Sequence, residues 1–175
     1  MALGLAAMVA CGPYRARSER RCGPPEPAEI QVLQRFERAV APAVRIASVT
    51  VPTADWLSEP DDLEAWVGVE GLAAWKARAA CPLALGPILA AERLFDPRRD
   101  AVLGEDGWVL LGRVALSADG DHAALPLWSL KQHPPSCCPP FPAAWVFEYQ
   151  WGVDGWEFSG SRWISGPEQG ERLVH

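Results

Sequence analysis

Lysine is nearly absent from this chain, at two residues against fourteen arginines, and 22 acidic residues leave a net charge of −6. Binding to a phosphate backbone needs concentrated positive charge, so nucleic acid is excluded as a partner. No apolar run reaches the roughly 20 residues that a membrane-spanning helix needs. The patterns GxSxG and HExxH, a glycine-rich phosphate loop and a Walker motif are all missing. Their absence removes the common serine-hydrolase, zinc-protease and nucleotide-binding readings. Histidine is scarce as well, present only as His122, His133 and His175. An apolar fraction of 49% and a charged fraction of 22% are those of an ordinary globular protein. The excess of arginine, with plentiful alanine, proline and glycine, reads as codon bias toward G and C.

The first twelve of the 175 residues are apolar and lead at once into a basic stretch with Arg15, Arg17, Arg20 and Arg21. That length suits the apolar region of an export signal. The residues Met8-Val9-Ala10-Cys11 resemble the cleavage box of bacterial lipoprotein signals, in which an aliphatic residue and two small ones precede the cysteine that receives lipid. The resemblance implies a signal peptide over residues 1–11, lipidation of Cys11, and an extracytoplasmic place in the cell envelope, tied to the membrane through the lipid. The alternative is a buried or frayed N-terminal helix in a cytosolic protein. Residues 12–27 hold Gly12, Pro13, Gly23, Pro24, Pro25 and Pro27 among charges and read as a flexible tether. Residues 28–168 then form a single domain, and 169–175 a tail.

Besides Cys11 the chain carries Cys22, Cys81, Cys137 and Cys138. An even number in an exported domain points to two disulfides, with three connectivities open. A bond between the adjacent Cys137 and Cys138 would close a strained ring, so each is expected to pair with Cys22 or Cys81. A metal site built from His133, Cys137, Cys138 and a third cysteine is disfavoured. Zinc sites space paired cysteines by about two to four residues, and successive side chains diverge. No metal and no cofactor is expected.

From 26 to 41, Ile30, Leu33, Phe36, Ala39 and Val40 form a helical stripe with charge on the other face, broken by Pro42. Residues 44–51 read as a short strand or an extended connector. A second helix opens near Ser58, with Pro60 in its first turn and Asp61, Asp62 and Glu64 at the positive end of its dipole. Leu63, Trp66 and Val67 form its apolar face, and Gly68 stops it. Residues 71–80 read as a further helix, closed by Pro82. Four strand-like runs follow at 108–117, 122–131, 143–151 and 156–165. Asp119-Gly120 and Asp154-Gly155 divide the first and last pairs and accept the positive φ of hairpin turns. Residues 132–142, with five prolines, form a structured loop. The expected fold class is α+β: N-terminal helices packed on one face of a four-stranded antiparallel β-meander.

The segment running from Leu111 through Ser117-Ala-Asp119-Gly120, then a cysteine-bearing loop, then Trp145-Val-Phe-Glu-Tyr and Asp154-Gly-Trp-Glu resembles a C-terminal pattern in small secreted bacterial proteins of uncharacterised function. It covers about 55 residues. Cys-Cys-Pro-Pro stands here where relatives tend to have separated cysteines with glycines. The resemblance implies a secreted α+β domain and no reaction.

Catalysis finds little support. His133 is the best general-base candidate, but beside Ser136 it lacks a nucleophile motif, and the Cys137 thiol would be oxidised outside the cell. Glu148 and Glu157 neighbour each other across the last hairpin, where two surface glutamates are the simpler reading than a glycosidase pair. The nine tryptophans stand out instead. Trp145, Phe147, Tyr149 and Trp151 share one face of a strand by alternation. Trp163 falls on the opposite parity from Trp156 unless a bulge intervenes near Gly160. Most of the tryptophans are expected in the core, with Trp66 and Trp75 coming from the helices and Trp151 and Trp156 exposed beside the turn. The functional expectation is a non-catalytic, exported, lipid-anchored envelope protein that binds or scaffolds an envelope protein. The alternatives are a carbohydrate- or peptide-binding module using Trp145, Trp151 and Trp156, and a small hydrolase around His133.

Overall fold

A computed structural model describes residues 23–51, 61–96, 108–130 and 142–165. The described residues include two α-helices, one turn of 3-10 helix at Ala91–Arg93 and seven strands. Helix α1 spans Pro27–Ala39, its opening proline setting the φ of the first turn. Val32, Leu33 and Phe36 form its buried stripe. Helix α2 spans Asp61–Ala79 and is broken at Gly68 (φ 75°, ψ 169°), where the sequence pattern placed the end of one helix before the start of another. Trp66 and Trp75 both lie on it, as expected.

The strands are β1 Arg45–Ala47, β2 Leu94–Phe95, β3 Trp108–Leu111, β4 Ala115–Leu116, β5 His122–Leu130, β6 Pro142–Gly152 and β7 Gly155–Ser165. They form one sheet in the order β2-β1-β3-β5-β6-β7, with β4 also paired to β5. The β3-β5-β6-β7 portion is antiparallel, while β1 runs parallel to both β2 and β3. The fold is therefore α+β, but the four-stranded antiparallel meander is corrected to a seven-stranded mixed sheet. Strands of two and three residues are too short to display the alternation by which a strand is recognised. The run expected at 108–117 is split between β3 and β4.

Alternation along β5 shows what covers each face. Ala123, Leu125 and Leu127 pack in one cluster with Val32, Leu33 and Phe36 of α1, together with Tyr149 and Trp156. Ala124 packs in a second cluster with Leu63, Val67, Leu72 and Trp75 of α2, together with Val146. The helices thus lie on opposite faces of the sheet, not together on one. Gly71 permits the close seating of α2, since a Cβ there would stand 2.5 Å from the Leu116 carbonyl oxygen.

Where β3 gives way to β4, the fully buried Arg113 meets the fully buried Glu29 of α1. Its Nε donates to Glu29 Oε1 at 2.6 Å and one terminal nitrogen donates to Oε2 at 2.7 Å. The Val114 amide donates to the same carboxylate at 3.1 Å. From the other face, Trp75 Nε1 of α2 donates to the Arg113 carbonyl at 2.8 Å. One residue is thereby held by both helices. Removing one partner of a buried ion pair strands the other charge, which typically costs about 3–5 kcal/mol. Glu29→Gln should therefore lower the denaturant-unfolding free energy by about that amount; a loss under about 1 kcal/mol would contradict the assignment.

Candidate functional site

The hairpin of β6 and β7 carries most of the aromatic side chains singled out in the sequence. Its turn is Asp154-Gly155, with Gly155 at φ 104°, as turn chemistry requires. Trp151 pairs with Trp156 and Tyr149 with Phe158, after which the register shifts so that Glu148 pairs with Gly160. This is the bulge that the parity argument called for, and it places Trp163 opposite Trp145 in register.

Trp151 and Trp156 meet edge to face at 5.3 Å between ring centroids. Phe158 contacts Tyr149 at 5.9 Å and Phe147 at 5.4 Å, and Phe147 in turn meets Phe36 of α1 at 5.7 Å. Trp151 and Phe158 are 47% and 51% exposed. Trp156 is buried at 6%, which corrects the expectation that it stands exposed beside the turn; it packs in the same cluster as Tyr149 and the α1 stripe. Its indole Nε1 is buried with no hydrogen-bond partner among the described residues. Trp145 is half-buried against that cluster.

These rings border a cleft of about 600 Å³ between the hairpin tip and α1, within the range of small-ligand sites. The helix contributes Gln31, Arg35 and Arg38, three exposed residues on one stripe. Among the described residues neither Arg35 nor Arg38 makes an ion pair or a side-chain hydrogen bond. Asp154 and Glu157 also border the cleft. Glu157, however, pairs in register with Gln150, on the parity opposite Trp151, and its carboxylate packs against Gly152. Beneath the cleft, burial pushes the Tyr149 phenol well above its ordinary value, opposed in part by the charge of Arg35.

Glu148 is buried and bound by Arg162, Nε to Oε1 at 2.5 Å, which corrects its reading as a surface residue.

A second, smaller cavity of about 360 Å³ lies on the other face, beneath the break in α2. There Trp66 meets His122 edge to face at 4.8 Å, and its Nε1 donates to the Ala123 carbonyl at 2.9 Å. Ser117 and Asp119 are close by, but their polar groups are used within the turn. The Ser117 hydroxyl donates to the Asp119 carboxylate and accepts from the His122 amide at 2.9 Å, and the Asp121 amide donates to Asp119 at 3.1 Å. Those hydrogen bonds hold the Asp119 carboxyl below the usual carboxylate range. The hydroxyl and the carboxylate are both engaged within the turn. Ser117-Ala-Asp-Gly is thus a turn motif by its hydrogen bonds.

Cys81 follows the end of α2, while Cys11, Cys22, Cys137 and Cys138, with His133, lie outside the described residues. Among the described residues no group of three histidine, cysteine or acidic side chains could hold a metal ion. No described helix is long and apolar enough to cross a membrane.

The Tyr149 phenol supplies a pH test. Its folded value is raised, so its contribution to stability is fully present below the ordinary value near 10 and is lost as pH rises beyond it. In a Tyr14→Phe chain Tyr149 is the remaining tyrosine. Its phenolate absorbance should stay absent as pH passes 10 and emerge only with unfolding; ionisation at the ordinary value in folded protein would contradict the burial argument.

No protein-family model matches the chain, and neither a curated protein nor a solved structure matches it.

Proposed function

We propose that this chain is a non-catalytic binding protein of the cell envelope, with its ligand site in the cleft between α1 and the β6–β7 hairpin. The observation that supports the reading is the exposure of Trp151 and Phe158 beside two arginines, Arg35 and Arg38, that make no ion pair among the described residues. Large aromatic faces left in solvent next to unpaired cations are the groups a ligand covers. The positioned nucleophile and base of an enzyme are not found among the described polar groups: Ser117 and Asp119 serve a turn, and Glu148 is spent on Arg162. The envelope location rests on the apolar leader ending at Cys11, and the pairing of Cys81 with one of the other cysteines belongs to the same reading.

Intact mass of native protein from membrane fractions, with and without reductant, tests the location. A chain beginning at a lipid-modified Cys11, gaining mass on reduction, is expected; an unprocessed soluble chain retaining Met1 with free thiols would refute it. For the cleft, Trp151→Ala should lower the melting temperature by only about 2–4 °C, the cost of losing one cross-strand aromatic pair. It should also abolish binding to envelope-derived glycans and peptides, read by tryptophan fluorescence. Unaltered binding by that variant would remove the cleft from consideration.

A further inference from the structure

We infer that the cleft takes a saccharide bearing an acidic group, its ring face on Trp151 and Phe158 and its carboxylate or phosphate on Arg35 and Arg38. The inference rests on the cleft being the binding site. Its first support is charge. Of seven arginines among the described residues, five are engaged. Arg78 pairs with Glu26, Arg113 with Glu29 and Arg162 with Glu148, while Arg45 and Arg93 donate to backbone carbonyls. The two that remain, Arg35 and Arg38, both border this cleft. In a chain of net charge −6, acids to neutralise them are plentiful, yet none does so among the described residues. Asp154 and Glu157 border the same cleft, but neither forms an ion pair with Arg35 or Arg38 among the described residues, and the Glu157 carboxylate packs against Gly152. Two guanidinium groups one helical turn apart offer the forked donors that an anionic oxygen pair takes.

The second support is the kind of surface that faces them. Peptides are commonly bound by adding a strand to a free sheet edge. β7 is the last strand of the sheet, so its outer edge has no partner strand among the described residues; a peptide added there would be held by that backbone edge and not by the rings and guanidinium groups that border the cleft. What faces α1 is ring surface, and the apolar face of a sugar ring stacks on such surface while its hydroxyls remain free to hydrogen-bond. Trp156 adds a buried indole N–H with no partner, which an oxygen of the ligand would satisfy.

The test titrates the full-length oxidised protein with three probes: uronic-acid oligosaccharides, their methyl esters, and glutamate peptides of equal charge. Tryptophan fluorescence and calorimetry report binding. The uronates are expected to bind, and the esters at least about tenfold more weakly, which is about 1.4 kcal/mol. Arg35→Gln and Arg38→Gln should each bring a similar loss with an unchanged melting temperature, and added salt should weaken uronate binding. Equal binding of ester and acid would overturn the anionic part and leave the cleft standing. Peptide binding as tight as uronate binding would overturn the saccharide part. Silence of all three probes, with Trp151 fluorescence unmoved, would overturn both the inference and the reading of the cleft.

Discussion

A carboxylate and a guanidinium sealed from water between a helix and a sheet must satisfy each other or the fold fails, and Glu29 with Arg113 meets that demand through two parallel hydrogen bonds. The geometry leaves little freedom. Glu29 fixes the rotation of α1, because three acceptor contacts on one side chain hold its first turn against residues 113 and 114. That rotation carries Val32, Leu33 and Phe36 into the core and leaves Gln31, Arg35 and Arg38 on the flank that borders the hairpin. Trp75 fixes α2 to the same residue from the other face. An ion pair of this kind is no gain in stability over a well-packed apolar pair, and its value here lies in the register it imposes.

The elements legible in the sequence were those with a period to read. Helix α1 follows from its apolar stripe, the break in α2 from Gly68, and β5 to β7 from alternation and Asp-Gly turns. Strand β1 falls within the run 44–51 that reads as a short strand or connector, but its parallel pairing was not legible, because that is a tertiary fact, and β2 was missed because two residues carry no period. The distribution of the helices over both faces was likewise hidden. Ala124 and Val146 are small or ordinary apolar residues whose burial depends on what α2 brings to them. Glu29 itself sits on the helix as one acid among several, and nothing in its local sequence distinguishes it from a solvated one.

The candidate site was half visible. Trp151 and Trp156 flank a turn that the dipeptide Asp154-Gly155 announces, and the need for a bulge before Trp163 could share their face followed from parity alone. Missing from the sequence reading were Arg35 and Arg38. Their partner is a hairpin more than a hundred positions later in the chain, and only the docking of α1 brings the two together. Trp156 was misjudged for a related reason: proximity to a turn suggests exposure, whereas the α1 stripe covers its ring. Exposed aromatic rings beside cations without an ion pair among the described residues are thus a product of two distant segments, each of which reads as ordinary by itself.

The position of α1, one wall of the cleft, follows from Glu29 meeting Arg113, and α2 is anchored to the same residue from the other face of the sheet. A double-mutant cycle in urea over Glu29→Gln and Trp75→Phe measures that link directly. Sites that share no partner add within about 0.3–0.5 kcal/mol. Joint anchoring predicts a coupling energy clearly beyond that range, because the loss of either contact frees the residue the other one holds. Strict additivity would show that the two helices are fixed independently.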